Sequence, residues 1–159
     1  MSDELCFLSA ADLRRRISRK EISPSEVTSA VIARAERLQP ELNCFITLCA
    51  DKALAQAKDA ERRIMAGEPL RVLEGIPFTV KDIVNTKDVR TTFGAIPYKD
   101  NVPDHDAVAV ARLRAAGAAA AARAAARRWR SRAALHRSRW QPMAVVRPAS
   151  RPPATALSG

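Results

Sequence analysis

Apolar residues recur at helical spacing through most of the first 65 positions, and the first two recurrences begin at a side chain suited to cap them. Ser9 precedes Ala10-Ala11-Asp12, and Leu13 and Ile17 form an i, i+4 apolar pair, so a first helix of about two to three turns is predicted there. Ser23-Pro24-Ser25-Glu26 repeats the device. Pro24 suits the first helical position, Glu26 can reach back to the cap, and Val27, Ala30, Val31, Ala33 and Leu38 mark one apolar face up to Pro40, where the second helix is expected to end. Asn43 to Leu48, with Phe45, Ile46 and Thr47, reads as a short strand. Asp51 to Met65 is rich in Ala, Lys, Glu and Arg, places Leu54, Ala57 and Ile64 on one side and meets Gly67 as a stop, which predicts a third helix.

The pattern then changes period. Leu73-Glu-Gly-Ile-Pro-Phe-Thr-Val80 carries β-branched and aromatic residues bounded by Gly75 and Pro77, and continues as Lys81-Asp-Ile-Val84, a buried strand ending in charge. Residues 85–103 are dominated by Thr, Gly, Pro, Asp and Asn and predict a long ordered loop or two short strands, the kind of segment that serves a site. Asp104 or Asp106 then stands as the cap of a helix carrying Val108, Val110, Ala111, Leu113 and Ala116, with Arg112 and Arg114 in its last turns and Gly117 at its end.

Charge changes the picture after Ala118. The 159 residues carry a formal net charge of +10, which by itself suggests a polyanionic partner. Residues 1–118, however, hold 18 basic and 17 acidic side chains, while residues 119–159 hold nine arginines and no acid. The excess is therefore local. No apolar run approaches the length of a membrane span, and no basic start is joined to an apolar stretch at the N-terminus, so neither a membrane nor a secretory route is expected and the cytoplasm is the default compartment. Cys6, Cys44 and Cys49 are odd in number and lack a CxxC pair; they specify neither a disulfide framework nor a zinc site, and no metal or cofactor is expected.

Three stretches, Leu73-Glu-Gly-Ile-Pro-Phe-Thr-Val-Lys-Asp82, Asn85-Thr-Lys-Asp-Val-Arg-Thr-Thr-Phe-Gly94 and Pro103 to Ala118, together resemble the amidase signature family. There a Gly-Ile-Pro strand delivers Val-Lys-Asp, a Thr-Thr-x-Gly loop follows, and a helix ending in Arg-Leu-Arg-x-Ala-Gly-Ala leads to the next strand. The resemblance covers roughly residues 9–118. It implies an α/β fold, helices around a mixed sheet, of which residues 1–118 would be the N-terminal portion. It also implies a hydrolase of carbon–nitrogen amide bonds working through a Ser, cis-Ser, Lys triad on a small-molecule amide, as a free amidase or as part of a tRNA amidotransferase, with oligomers common. Lys81 matches the catalytic lysine. Such a base must be neutral near pH 7, which a lysine becomes when desolvated beside hydroxyl donors. Asp82 reads as a loop-ordering carboxylate, Gly94 as a turn glycine and His105 as a surface histidine. The Val80 strand and the 106–116 helix are expected to leave apolar faces that the rest of such a fold would bury.

Neither of the family's serine segments, Gly-Gly-Ser-Ser-Gly-Gly and Gly-Gly-Gly-Ser-x-Arg-x-Pro, occurs in these 159 residues. Where an apolar strand and a Gly-Lys-Thr turn are due, the chain runs Ala-Ala-Ala-Ala-Arg-Ala, and residues 119–159 use Ala, Arg, Pro, Ser, Trp and little else. Joining the last base of each codon to the first two of the next gives forced results at two places, Ala across Trp140-Gln141 and Gly across Met143-Ala144. The remaining junctions admit ATDGGGSARVPAACYGAVG from Trp140 onward and GGSSGGAAVAVASG from Ala120 to Ala134. Both serine segments thus emerge in order. Residues 119–159 are accordingly read as a basic tail in a shifted frame, following a deletion, and Ser131, Ser138, Ser150 and Ser158 are not triad serines. The Ala-rich run 115–134 has the composition of a helix extending past Gly117, and residues 141–159, with four prolines, that of an irregular segment.

The alternative is a nucleic-acid or anionic-surface binding protein in which Arg127, Arg128, Arg130, Arg132, Arg137 and Arg139, interleaved with Trp129 and Trp140, contact phosphates and bases. The tail lacks turn logic and any mixing of acids with bases, so nucleic acid is the less favoured partner.

Overall fold

The computed structural model describes residues 3–124, and within them four α-helices pack on a three-stranded sheet. A 3₁₀ turn at Asp3–Phe7 leads into α1 (Ala10–Ser18), α2 (Pro24–Leu42), β1 (Phe45–Leu48) and α3 (Ala50–Met65). Then come β2 (Pro77–Lys81), a second 3₁₀ turn at Ile96–Tyr98, α4 (Val108–Ala115) and β3 (Ala119–Ala124). The α/β class and the mixed sheet are as expected. The arginines and tryptophans invoked for nucleic-acid binding and the tail serines all lie outside the described residues.

Local chemistry starts the first two helices as their sequences require. Ser9 Oγ accepts from the Asp12 amide at 3.1 Å, and Leu13 and Ile17 are each only 2% exposed. At α2 the reciprocal capping box is complete: Ser23 Oγ accepts from the Glu26 amide at 3.1 Å while Glu26 Oε2 accepts from the Ser23 amide at 2.7 Å. These helices bury Leu13, Ile17 and Val27 against Ile64 of α3 and Ile76 just before β2. Burying one such side chain is worth about 1.5–3 kcal/mol. Gly75 lets the β2 approach reach α2, since a Cβ there would stand 2.6 Å from Pro24 Cγ, and its φ of +70° is one that L side chains rarely adopt.

Two details of α2 differ from expectation. Pro40 does not end it: the helix runs on to Leu42 and closes at Asn43, whose φ of 45° is left-handed and whose amide donates to Gln39 O at 2.8 Å. A proline so near the C-terminus removes only one ladder bond, and Asn is among the residues that tolerate the left-handed cap. Ala33 is exposed, and the buried face is instead Val27, Thr28, Ala30, Val31, Ile32 and Ala35.

The largest correction falls at residue 119. The Ala-rich run does not extend α4 as a helix; Gly117, at φ +95°, turns the chain, and Ala119–Ala124 becomes the middle strand of the sheet, in the order β1-β3-β2. It pairs antiparallel with β1 and parallel with β2, with Val80 opposite Arg123 and Lys81 opposite Ala124. Alanine favours helix in isolation, but a middle strand satisfies its backbone groups from both sides, and α3 covers its face. Ala119 to Ala122 are all buried, as in a strand covered on both faces, and Ala121 joins Ile32 and Ala53 in a second apolar cluster. With β3 in place, Val80 and Val110 are buried rather than left open.

The start of α4 is also different. Its N-cap is Ala107, with no side-chain cap. Asp106 turns instead to the preceding loop and to its own helix, accepting from the Lys87 amide at 2.7 Å and from Arg114 Nη1 at 2.8 Å.

Candidate active site

The end of β2 is where the chain concentrates its buried polar chemistry. Along the strand Val80 points into the core while Thr79 and Lys81 are exposed, so Lys81 leaves the sheet on the open face and Asp82 turns inward. Lys81 is therefore at a strand end, as its sequence context requires, but it is in contact with solvent rather than desolvated. The serines of the described chain, Ser9, Ser18, Ser23, Ser25 and Ser29, sit in or beside α1 and α2 and are not gathered at this strand end.

Asp82 is fully buried and serves two partners at once. Its carboxylate accepts from the Thr92 amide at 3.0 Å, from the Thr92 hydroxyl and from the Gly94 amide at 3.3 Å. Its backbone carbonyl accepts from the Phe93 amide at 3.1 Å. One residue thus fastens the 92–94 turn to the strand. That turn needs left-handed backbone at Phe93 and Gly94, with φ of 53° and 70°. The loop-ordering role read for Asp82 and the turn role read for Gly94 agree with this geometry.

The second partner was not visible as such in the sequence. Arg123 of β3, only 1% exposed, directs Nε to Asp82 Oδ1 at 3.3 Å, Nη1 to Thr86 Oγ1 at 2.6 Å, and Nη2 to the carbonyls of Val84 at 2.8 Å and Lys81 at 3.4 Å. Burial alone would raise the Asp82 pKa, but the Thr92 hydroxyl and amide and the Arg123 guanidinium outweigh it and hold the carboxyl below its ordinary value. The only available signal was one arginine standing among the alanines of residues 118–126.

Beyond this core the loop carries an open groove of about 640 Å³ whose lining includes Asn85, Phe93, Tyr98 and His105. Phe93 and Tyr98 pack edge to face with centroids 5.2 Å apart. His105 is exposed, as expected, with Nδ1 2.7 Å from Asp104 Oδ1 and Nε2 3.0 Å from Asn85 Nδ2. Its bond to Asp104 holds that carboxyl below the usual range. Burial pushes the Cys6, Cys44 and Cys49 thiols up, away from reactive thiolate.

Comparison with known proteins covers the same region. The sequence model of the Amidase family matches residues 26–135. A glutamyl-tRNA(Gln) amidotransferase subunit from Geotalea daltonii is 43% identical over 115 residues, 72% of this chain and 24% of the relative. The corresponding protein of Roseiflexus sp. is 42% identical over 111 residues, 70% of this chain and 23% of the relative. Among solved structures, a fatty acid amide hydrolase superposes with a TM-score of 0.72 at 30% identity, over 76% of this chain and 21% of that one. The native peptide amidase of Stenotrophomonas maltophilia gives 0.71 at 31%, over 77% and 26%. The chain spans about a quarter of the length of the curated relatives it matches. A family match over most of its length and folds shared with solved amidases agree with the Val-Lys-Asp strand end and its Thr-Thr-x-Gly loop: the chain belongs to the Amidase family, the amidase signature enzymes.

Proposed function

We propose that this chain is the N-terminal portion of an enzyme that hydrolyses carbon–nitrogen amide bonds, with Lys81 as the base of a Ser, cis-Ser, Lys triad. The observation that carries the reading is the junction at β2, where Lys81 projects from a strand end whose next residue, the buried Asp82, locks the Thr92–Gly94 turn beside it. In that chemistry the lysine amine takes a proton through a bridging serine from the nucleophile and later returns it to the leaving amine. A lysine does this near neutral pH only when its amine is desolvated. Lys81 is exposed here, so the active enzyme must cover this face with further chain. The related proteins carry names of a fatty acid amide hydrolase, a peptide amidase and part of an amidotransferase, and an amide group is what those names share. A small-molecule amide is accordingly the proposed substrate. The cytoplasm is the proposed compartment; among the described residues no helix is long and apolar enough to cross a membrane.

Residues 119–159 are proposed to be a shifted-frame reading of the same gene, in which both serine segments lie out of frame. The chain as it stands then keeps one member of the triad and lacks the loop that stabilises the oxyanion, which leaves little specific rate enhancement. Purified chain and its Lys81→Ala variant should hydrolyse a panel of amides at the same background rate. Turnover that depends on Lys81 and is abolished by a serine-directed inhibitor would overturn the proposed inactivity. Sequencing the gene decides the frame: codons for residues 119–159 that cannot encode the two serine strings in the alternative frame would sink that part.

A further inference from the structure

We infer that the turn after β2 seats a guanidinium-type cation, and that in this chain, whichever frame residue 123 was read in, Arg123 fills that seat from the neighbouring strand and positions the strand end bearing Lys81. Four oxygens converge there: Asp82 Oδ1, Thr86 Oγ1 and the main-chain carbonyls of Lys81 and Val84. All three guanidinium nitrogens are engaged, and both charged side chains are buried, at 1% and 0% exposure. A planar fork of donors can reach oxygens spread in this way, whereas the three N–H bonds of a lysine radiate from one atom.

The seat matters because of what hangs on it. The Lys81 carbonyl is shared by the Val84 amide, at 3.0 Å, and by Arg123 Nη2, so the guanidinium braces the peptide that sets where Lys81 departs. Asp82 uses its carboxylate to hold the Thr92 and Gly94 amides. A carboxylate stays charged in a fully buried place only when a counter-ion and bonds compensate it, and Arg123 is that counter-ion. Without the guanidinium Asp82 must protonate or move toward water, and either change loosens the 92–94 turn from the strand. The arginine therefore acts through Asp82 and the Lys81 peptide.

The test is amide hydrogen exchange on the full chain, comparing the Val84, Thr92 and Gly94 amides with those of Leu13 and Val27 in the same sample. Arg123→Ala should speed exchange at the first three by about tenfold or more relative to the helical pair, which a uniform loss of stability would not do. Guanidinium chloride at tens of millimolar should restore a large part of that protection, while tetramethylammonium chloride at equal ionic strength, having no N–H donors, should not. Arg123→Lys should fall between the variant and the parent. Exchange that rises equally everywhere, that stays unchanged at Thr92 and Gly94, or that both salts restore alike overturns the inference. Should Arg123→Ala fail to fold, Thr86→Val removes one seat oxygen and leaves the guanidinium; it should speed the Val84 and Thr92 amides severalfold, and unchanged rates there would overturn the inference equally. Lys81→Ala is expected to leave all these rates alone, so the seat and the catalytic role proposed for Lys81 fail independently.

Discussion

The helical layer, which meets the approach to β2 at Gly75, and the turn after β2 are held by different forces. In α1 and α2 the devices that start the helices and set their inner face are short in sequence. Ser9 caps Asp12, Ser23 and Glu26 cap each other, and Leu13 and Ile17 share one face. The turn after β2 depends on residues up to 41 positions apart, through Asp82, Thr86, Thr92 and Arg123. Apolar burial tolerates approximate partners; a buried carboxylate does not. The layer that only needs to pack can therefore be read from local pattern, and the region that presents Lys81 rests on one long-range ion pair.

The sharpest way to break that contrast is Arg123→Met, which keeps bulk and removes the charge. Leaving Asp82 buried and unpaired should cost about 3–5 kcal/mol in a urea titration at pH 7. The comparison also has a pH signature. Asp82 is held below its ordinary value in the folded chain, so its contribution is fully present above the unfolded carboxylate value of about 4 and is lost as pH falls through the lower folded value. In Arg123→Met the folded value must rise. The stability gap between parent and variant should therefore narrow as pH drops below about 4, and a gap that stays constant there would show that the pair is not what the substitution removed.

Next in size is Gly75→Ala, aimed at the contact between α2 and the approach to β2. A Cβ would press on Pro24 Cγ at 2.6 Å and Cβ at 2.7 Å, at a left-handed φ of +70°. Overpacking with backbone strain should cost about 1–3 kcal/mol by the same titration. Because Pro24 is the first residue of α2, the loss should spread to both regions, unlike the local effect of Thr86→Val.

A still smaller loss sharpens the other side. Ser23→Ala removes the capping hydroxyl at α2 and should cost about 1 kcal/mol. Its effect on amide exchange should be greatest in the first turn of α2 and absent at Thr92 and Gly94.

These sizes follow what the sequence could and could not convey. Ser-Pro-Ser-Glu carries its whole mechanism within four residues, so the start of α2 was legible; its end was not, because the proline rule competes with Asn43 as a left-handed cap three residues on. Ala119–Ala124 was misread because alanine's propensity favours helix, and only the two flanking strands, one of them more than 70 positions upstream, make it a strand. The strand-end place of Lys81 and the turn roles of Asp82 and Gly94 were legible through motif spacing. Arg123 was counted with the charge of the tail, since nothing within several residues of it reveals the acceptors at 81 to 86.

The smallest expected effect on stability belongs to the residue with the largest proposed role. Lys81 is exposed, and its side chain lies on the open face of β2, opposite to the buried Val80. Replacing it by alanine removes no buried contact, so the urea midpoint should move by no more than about 0.5 kcal/mol equivalent. A residue selected to pack would behave otherwise. If Lys81→Ala instead costs as much as Gly75→Ala, the lysine is supporting the fold, and the division between a packed helical layer and a charge-held strand end that presents a free amine would have to be redrawn. A near-silent substitution at Lys81 beside a costly one at Arg123, whose opposite strand position is Val80, would show that the strand end separates holding from presenting, with the buried face carrying the first and the open face the second.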